Sequence, residues 1–196
     1  MKQGLLLIAF VGLCLLQCPA QMFESGMLVT REGDSLLGYV ARATENSFAF
    51  KKDKNASQTF YKDKEVAAYA INNQVYEQHV VEALRTDFPE ILEVFLMVIV
   101  DGPVRLLEFQ GKGLFGNDHI NYYLQRDGAT PYRVNRSKGY FKTTMKYYFS
   151  DYPELADRLK KKELGYEDLV EIVNTYNGWA IVKAAEDAAK EGTEGQ

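Results

Sequence analysis

Cysteine is almost missing from this chain: it has two, Cys14 and Cys18, and both lie within the first twenty residues. Beyond that segment the sequence offers neither a disulfide nor a thiol nucleophile, so its stability falls to an apolar core, which a chain well above about 100 residues can supply. Histidine is equally sparse. His79 and His119 are the only two, and they lack the clustered Cys, His and carboxylate spacing of a zinc site. Positive charge is not in excess either. With 23 Lys and Arg against 27 Asp and Glu the formal charge is −4, which gives no general attraction for nucleic acid or an anionic lipid surface. KKDK at 51–54 and KKK at 160–162 are the dense basic runs, and they read as solvated faces or helix ends. No G-x-S-x-G elbow and no Walker-type Gly-Lys-Ser/Thr occurs.

Long apolar runs are also absent. The longest, residues 5–16, follows Lys2 and precedes Gln17, Cys18, Pro19 and Ala20. At about a dozen residues it falls short of the roughly 20 that a membrane span needs. A basic start, a short apolar stretch and a small-x-small ending form a secretory signal peptide over 1–20, with Gln21 as the first mature residue. A second reading makes Cys18 the acylated cysteine of a lipoprotein signal. Gln17 stands where that signal carries a small residue and argues against it.

What is present is a strand half followed by a helix half. Between residues 21 and 136, GMLVTREGDSLLGYVAR reads as two strands around Gly33-Asp34, SFAFKK and QTFYK flank the polar DKNAS, and VAAYAINNQVYEQHVV turns at Asn72-Asn73. EVFLMVIV, residues 93–100, reads as a strand buried on both faces, turned by Asp101-Gly102-Pro103 into VRLLEF. NYYLQ and PYRVN form a further hairpin around Asp127-Gly128. The segment 86–91 is ambiguous, and a short helical turn opened by Pro89 is one reading of it.

From residue 137 the period becomes helical. Phe141, Met145, Tyr148 and Phe149 recur at helical spacing, Pro153-Glu154 suits a first turn, and Leu169, Ile172, Val173 and Tyr176 form another apolar stripe. Gly178 is expected to interrupt or end that helix, with AIVKAAEDAAK as a separate segment. The helical region then reaches residue 190, and 191–196 is expected to be a disordered tail. The fold class is α+β: a mostly antiparallel sheet, or partly open small barrel, followed by C-terminal helices.

One motif demands a test. EFQGKGLFGNDHINYYLQ places Gly111, Gly113 and Gly116 in the G-x-G-x-x-G spacing of a dinucleotide site. Such a site needs a helix straight after the glycines, whose N-terminal N–H groups hold the pyrophosphate. Here an alternating aromatic and polar run follows, so the stretch reads as a hairpin loop and no cofactor is expected. Leu114 and Phe115 at its tip are candidate partner contacts. Tyr122 and Tyr123 are candidates too, because neighbours on a strand point to opposite faces and one ring can be left accessible. Asp118 and His119 are adjacent and cannot form a dyad for the same reason. Glu82, Asp87 and Glu90 offer carboxylate pairs whose separation in space sequence does not define. Asn55 and Asn135 begin N-x-S triplets without further support.

GDSLLGYV, FLMVIVDGPVRLLEF, NYYLQ, DYPELADRL, YEDLVEIV and NTYN occur in that order. The order resembles a group of uncharacterised secreted envelope proteins of Bacteroidetes-type bacteria. Leu107-Glu108 departs from the Leu-Tyr usual there. The resemblance implies export to the periplasm or cell surface and supplies no catalytic residue. The expectation is thus a non-catalytic binding module that engages an envelope protein or glycan, without nucleic acid and without a membrane span in the mature chain. The competing expectation is a small-ligand or glycan-binding protein, including a hydrolase.

Overall fold

The computed structural model describes residues 22–85, 88–112 and 118–194, with backbone alone beside the two breaks and over 191–194. Ten antiparallel strands form one open sheet in the order β10-β9-β8-β7-β6-β5-β1-β2-β3-β4. They are β1 Glu24–Thr30, β2 Ser35–Thr44, β3 Ser47–Lys51, β4 Thr59–Lys62, β5 Val66–Ile71, β6 Gln74–Arg85, β7 Phe88–Val100, β8 Val104–Lys112, β9 Asp118–Arg126 and β10 Tyr132–Arg133. Helices α1 Lys138–Tyr148, α2 Pro153–Lys160 and α3 Leu169–Glu194 follow. The fold is α+β with an N-terminal sheet, and the sheet is not closed.

Local chemistry sets most of the turns. Asn72 and Asn73 take φ of 53° and 62°, and Asp127 and Gly128 take 50° and 70°, as the two-residue hairpin turns that follow strand twist require. The β1–β2 turn ends in Gly33 at φ 97°, and Thr30 N–H donates to the Asp34 carbonyl at 2.9 Å to close it. The chain is therefore two meanders, β1–β4 and β5–β10, joined where β5 returns to pair with β1.

The sheet curls strongly. Strands lie roughly 4.8 Å apart, so in a flat sheet β3 would stand about 14 Å from β5. Phe48 of β3 instead meets Tyr69 of β5 at 4.7 Å and Phe95 of β7 at 5.3 Å between ring centroids. Leu28, Val40 and Val66 complete this first core. A second lies on the opposite face. β7 and β8 pair only as far as Met97↔Glu108, and beyond that point the two long hairpins part. Val81 and Leu96 then pack with Leu107 and Tyr123.

The helices cover the sheet face carrying Val104, Leu106 and Leu124. Phe141 and Met145 of α1, Leu155 and Leu159 of α2, and Leu169, Ile172, Val173 and Tyr176 of α3 are buried against it. Each fully buried aliphatic side chain contributes about 1.5–3 kcal/mol, so these stripes hold the layer. Asn177 pins it: its side-chain amide donates to the Val104 carbonyl and accepts from the Val104 N–H, both at 2.8 Å.

Three expectations need correction. Pro89 stands in β7 opposite Leu84 rather than in a helical turn. Among the described residues that part of β7 is paired on one side, with β6, where a residue lacking N–H is tolerated. Gly178 lies inside a continuous α3, because an interior glycine costs only about 1 kcal/mol and Tyr176 and Trp179 anchor the helix on either side of it. The helix also continues to Glu194 where disorder is expected from residue 191, since adding a turn to a formed helix is far easier than nucleating one.

Candidate functional site

Where β9, α1 and the α2–α3 connection meet, they leave a cleft of about 610 Å³. Tyr122 enters it from β9, half-buried, and is paired across the ladder with the buried Glu108. Burial first and then the Glu108 carboxylate push the Tyr122 phenol above its ordinary value. The Val134 N–H donates to the Tyr122 carbonyl at 2.8 Å, and the Asn135 side chain accepts from the Ser137 N–H at 2.8 Å, turning the chain into α1. Arg136 lies within that turn. Lys138, Phe141 and Lys142 then line the cleft from α1.

The other wall begins where α2 ends. Glu163 N–H donates to the Arg158 carbonyl and Lys162 N–H to that of Leu159, a helix stop that places Lys162 in the left-handed region at φ 64°. Leu164 is buried, and the Asp168 carboxylate accepts from the Gly165 N–H at 2.7 Å, fixing the single 3-10 turn Tyr166–Asp168 that leads into α3. Tyr166 is thereby set against Tyr122 and Phe141, with centroids 5.6 and 6.0 Å away and ring planes inclined by 49° and 67°. The three rings form a trough.

Charge around this trough is unbalanced. Arg136, Lys138, Lys142 and Lys162 have no carboxylate partner among the described residues, and Arg136 instead lies over the Tyr166 ring at 5.4 Å. The acids here are largely committed. Glu163 stands 3.7 Å from Arg158 and Asp168 caps Gly165, which leaves Glu167. Elsewhere Arg31, Arg42, Arg105, Arg126 and Arg158 each meet a carboxylate within about 3 Å.

The two tyrosines expected from the sequence line different clefts. Tyr123 is 5% exposed and packs with Leu96 and Leu107, its edge reaching a second cleft of about 640 Å³ beside Arg133 and Tyr132. Arg136 and Tyr166 form the wall common to both. Leu114 and Phe115 lie outside the described residues. Of the glycine motif, Gly113 and Gly116 lie outside the described residues; the strands on either side, β8 and β9, pair antiparallel, Gly111 with His119 and Lys112 with Asp118, rather than as parallel strands joined by a crossover. The backbone of Glu82 pairs with Ile91 and that of Glu90 with Ala83, and Asp87 lies outside the described residues.

A polar cluster on the sheet was not found from the sequence. Arg105 holds Glu77 with two bonds, at 2.7 and 2.8 Å, and also bonds Asp101 and Gln125. His79 Nε2 stands 3.4 Å from the Glu77 carboxylate. Against the effect of burial, the His79 ring and then Arg105 lower the Glu77 carboxyl to about 2. The clue was the spacing of Glu77 and His79, two residues apart on one strand and therefore on one face. The cluster lines neither cleft. Among the described residues no group of His, Cys, Asp and Glu could hold a metal, and no helix is long and apolar enough to cross a membrane. No family model, curated protein or solved structure matches the chain.

Proposed function

We propose that this chain is an exported bacterial envelope protein that works as a non-catalytic binding module, with the Tyr122–Arg136–Tyr166 cleft as its site. The observation that carries the reading is the cleft itself: a space within the roughly 300–1,000 Å³ of small-ligand sites, apolar at its rings, with unpaired cations around it. The leader-like start and the envelope-protein order of motifs supply the compartment. Binding is favoured over hydrolysis because glycosidase chemistry takes two carboxyl groups flanking the bond, and Glu163 and Asp168 are already engaged.

The test is in-cell crosslinking from a photoreactive residue replacing Lys138, with mass spectrometry of the mature N-terminus. Expected are Gln21 as the first residue and a reproducible adduct that Tyr166→Ala removes. An adduct insensitive to Tyr166→Ala would move the site away from the cleft, and an acylated Cys18 would make the chain a lipoprotein. Glycan binding is the second reading, favoured by the tyrosine ring faces.

A further inference from the structure

We propose that the cleft takes an acidic saccharide, a sugar ring bearing a carboxylate or phosphate, with Arg136 as the principal anion contact. This rests on reading the cleft as a binding site, and it adds the chemical class of the occupant.

The charge argument comes first. In a chain of net charge −4, four cations against three acids line this cleft, and none of the four is paired with a carboxylate among the described residues, an arrangement that an incoming anion would relieve. An uncharged ligand would leave it unanswered. Arg136 is the residue best suited to the anion: its guanidinium carbon lies 5.4 Å from the Tyr166 ring centroid, and its N–H groups meet no carboxylate among the described residues. A planar fork of donors suits a carboxylate or phosphate through paired bonds, which a point-like ammonium does not.

The body of the ligand follows from the rings. Tyr122 and Phe141 are inclined to Tyr166 by 49° and 67°, so the cleft offers a trough and no parallel aromatic slot in which a flat base could be sandwiched. A puckered sugar can lay its C–H face on one such ring while its hydroxyls reach polar neighbours. Glu167, left without a hydrogen-bond partner among the described residues, is an available acceptor for a hydroxyl.

Lys162 permits an unusual control. It occupies a left-handed position that glycine adopts without strain, so Lys162→Gly removes a cation from the cleft without loss of fold. A variant that melts no lower and binds the anion less well separates the two roles of the residue.

The experiment is tyrosine fluorescence and NMR titration of the mature chain with digalacturonate, its methyl ester, glucose 6-phosphate and AMP. Expected is saturable binding of an acidic sugar, weakened by added salt, about tenfold weaker in Arg136→Gln and several-fold weaker in Lys162→Gly, with the ester binding poorly. Which acidic sugar binds tells carboxylate from phosphate. If the ester binds as tightly, or Arg136→Gln has no effect, the anion inference is overturned and the cleft remains a site. Tighter binding of AMP overturns the saccharide. If no probe binds but the Lys138 crosslink still depends on Tyr166, the acidic-sugar inference falls alone; if that dependence is also missing, both readings fall.

Discussion

Lys162 shows how one residue can carry two demands. Its φ of 64° is costly for a residue with a Cβ, by about 1 kcal/mol or more, whereas glycine adopts it freely. Lys162→Gly is therefore expected to stabilise the chain by about 0.5–1 kcal/mol, after the greater freedom of glycine in the unfolded state is deducted. Denaturant unfolding would show it as a higher midpoint, and a lower one would mean that the lysine stem is held by packing. Glu77 sets an acid limit. Its carboxyl is lowered from 4.5 to about 2 by the His79 ring and Arg105, so in acid the unfolded chain binds the extra proton first. The stability from this group is complete above pH 4.5 and is lost between there and about pH 2. Glu77→Gln should flatten the pH dependence in that window; an unchanged slope would assign acid sensitivity to Asp151, whose carboxyl is also lowered, by Tyr176 and Arg126 against burial. At this scale the sequence was half legible. Strand alternation separates Tyr122 from Tyr123, but nothing in the order of residues brings Arg105 to Glu77 across two strands.

Elements were the most legible level where turn chemistry marks them. Asn72-Asn73, Asp127-Gly128 and Gly33 each occupy left-handed backbone, and each ends a strand where the sequence pattern does. Helix periodicity likewise located Phe141, Met145, Ile172 and Val173 in the core. Elements were misread where tertiary contacts outweigh a local signal, as at Pro89 and Gly178. The polar pin of α3 was not legible, because it has Asn177 imitating a strand partner for Val104, 73 residues away. Asn177→Ala leaves two buried backbone groups without partners and should cost about 1–3 kcal/mol. Gly102→Ala should be comparably harmful, since Gly102 has φ 148° and an added Cβ would come within 2.6 Å of the Asn177 amide. If the pair is one device, the two losses measured by denaturant unfolding will be less than additive in the double variant. Full additivity would mean that they act separately.

For the whole molecule the decisive feature is the curl of the sheet. It joins residues far apart in sequence, and strand patterns alone are equally compatible with a flat sheet, which is why both an open sheet and a partly closed barrel fit the sequence. The cleft is illegible for a related reason: β9, the turn before α1 and the link after α2 become its walls only once the helices cover one face. Phe48, fully buried between Tyr69 and Phe95, holds the curl. Phe48→Ala should cost about 3–5 kcal/mol. The far end of α3 should behave oppositely, since residues 181–190 are all exposed. Deleting 181–196 removes over half of that helix but little of its buried stripe, so helical circular dichroism should fall while the melting temperature stays nearly constant. A large fall in melting temperature on deletion would show that this arm supports the fold through contacts made by residues outside those described. A preserved melt with lost partner capture would show instead that the arm takes part in binding, and the cleft would no longer account for capture by itself.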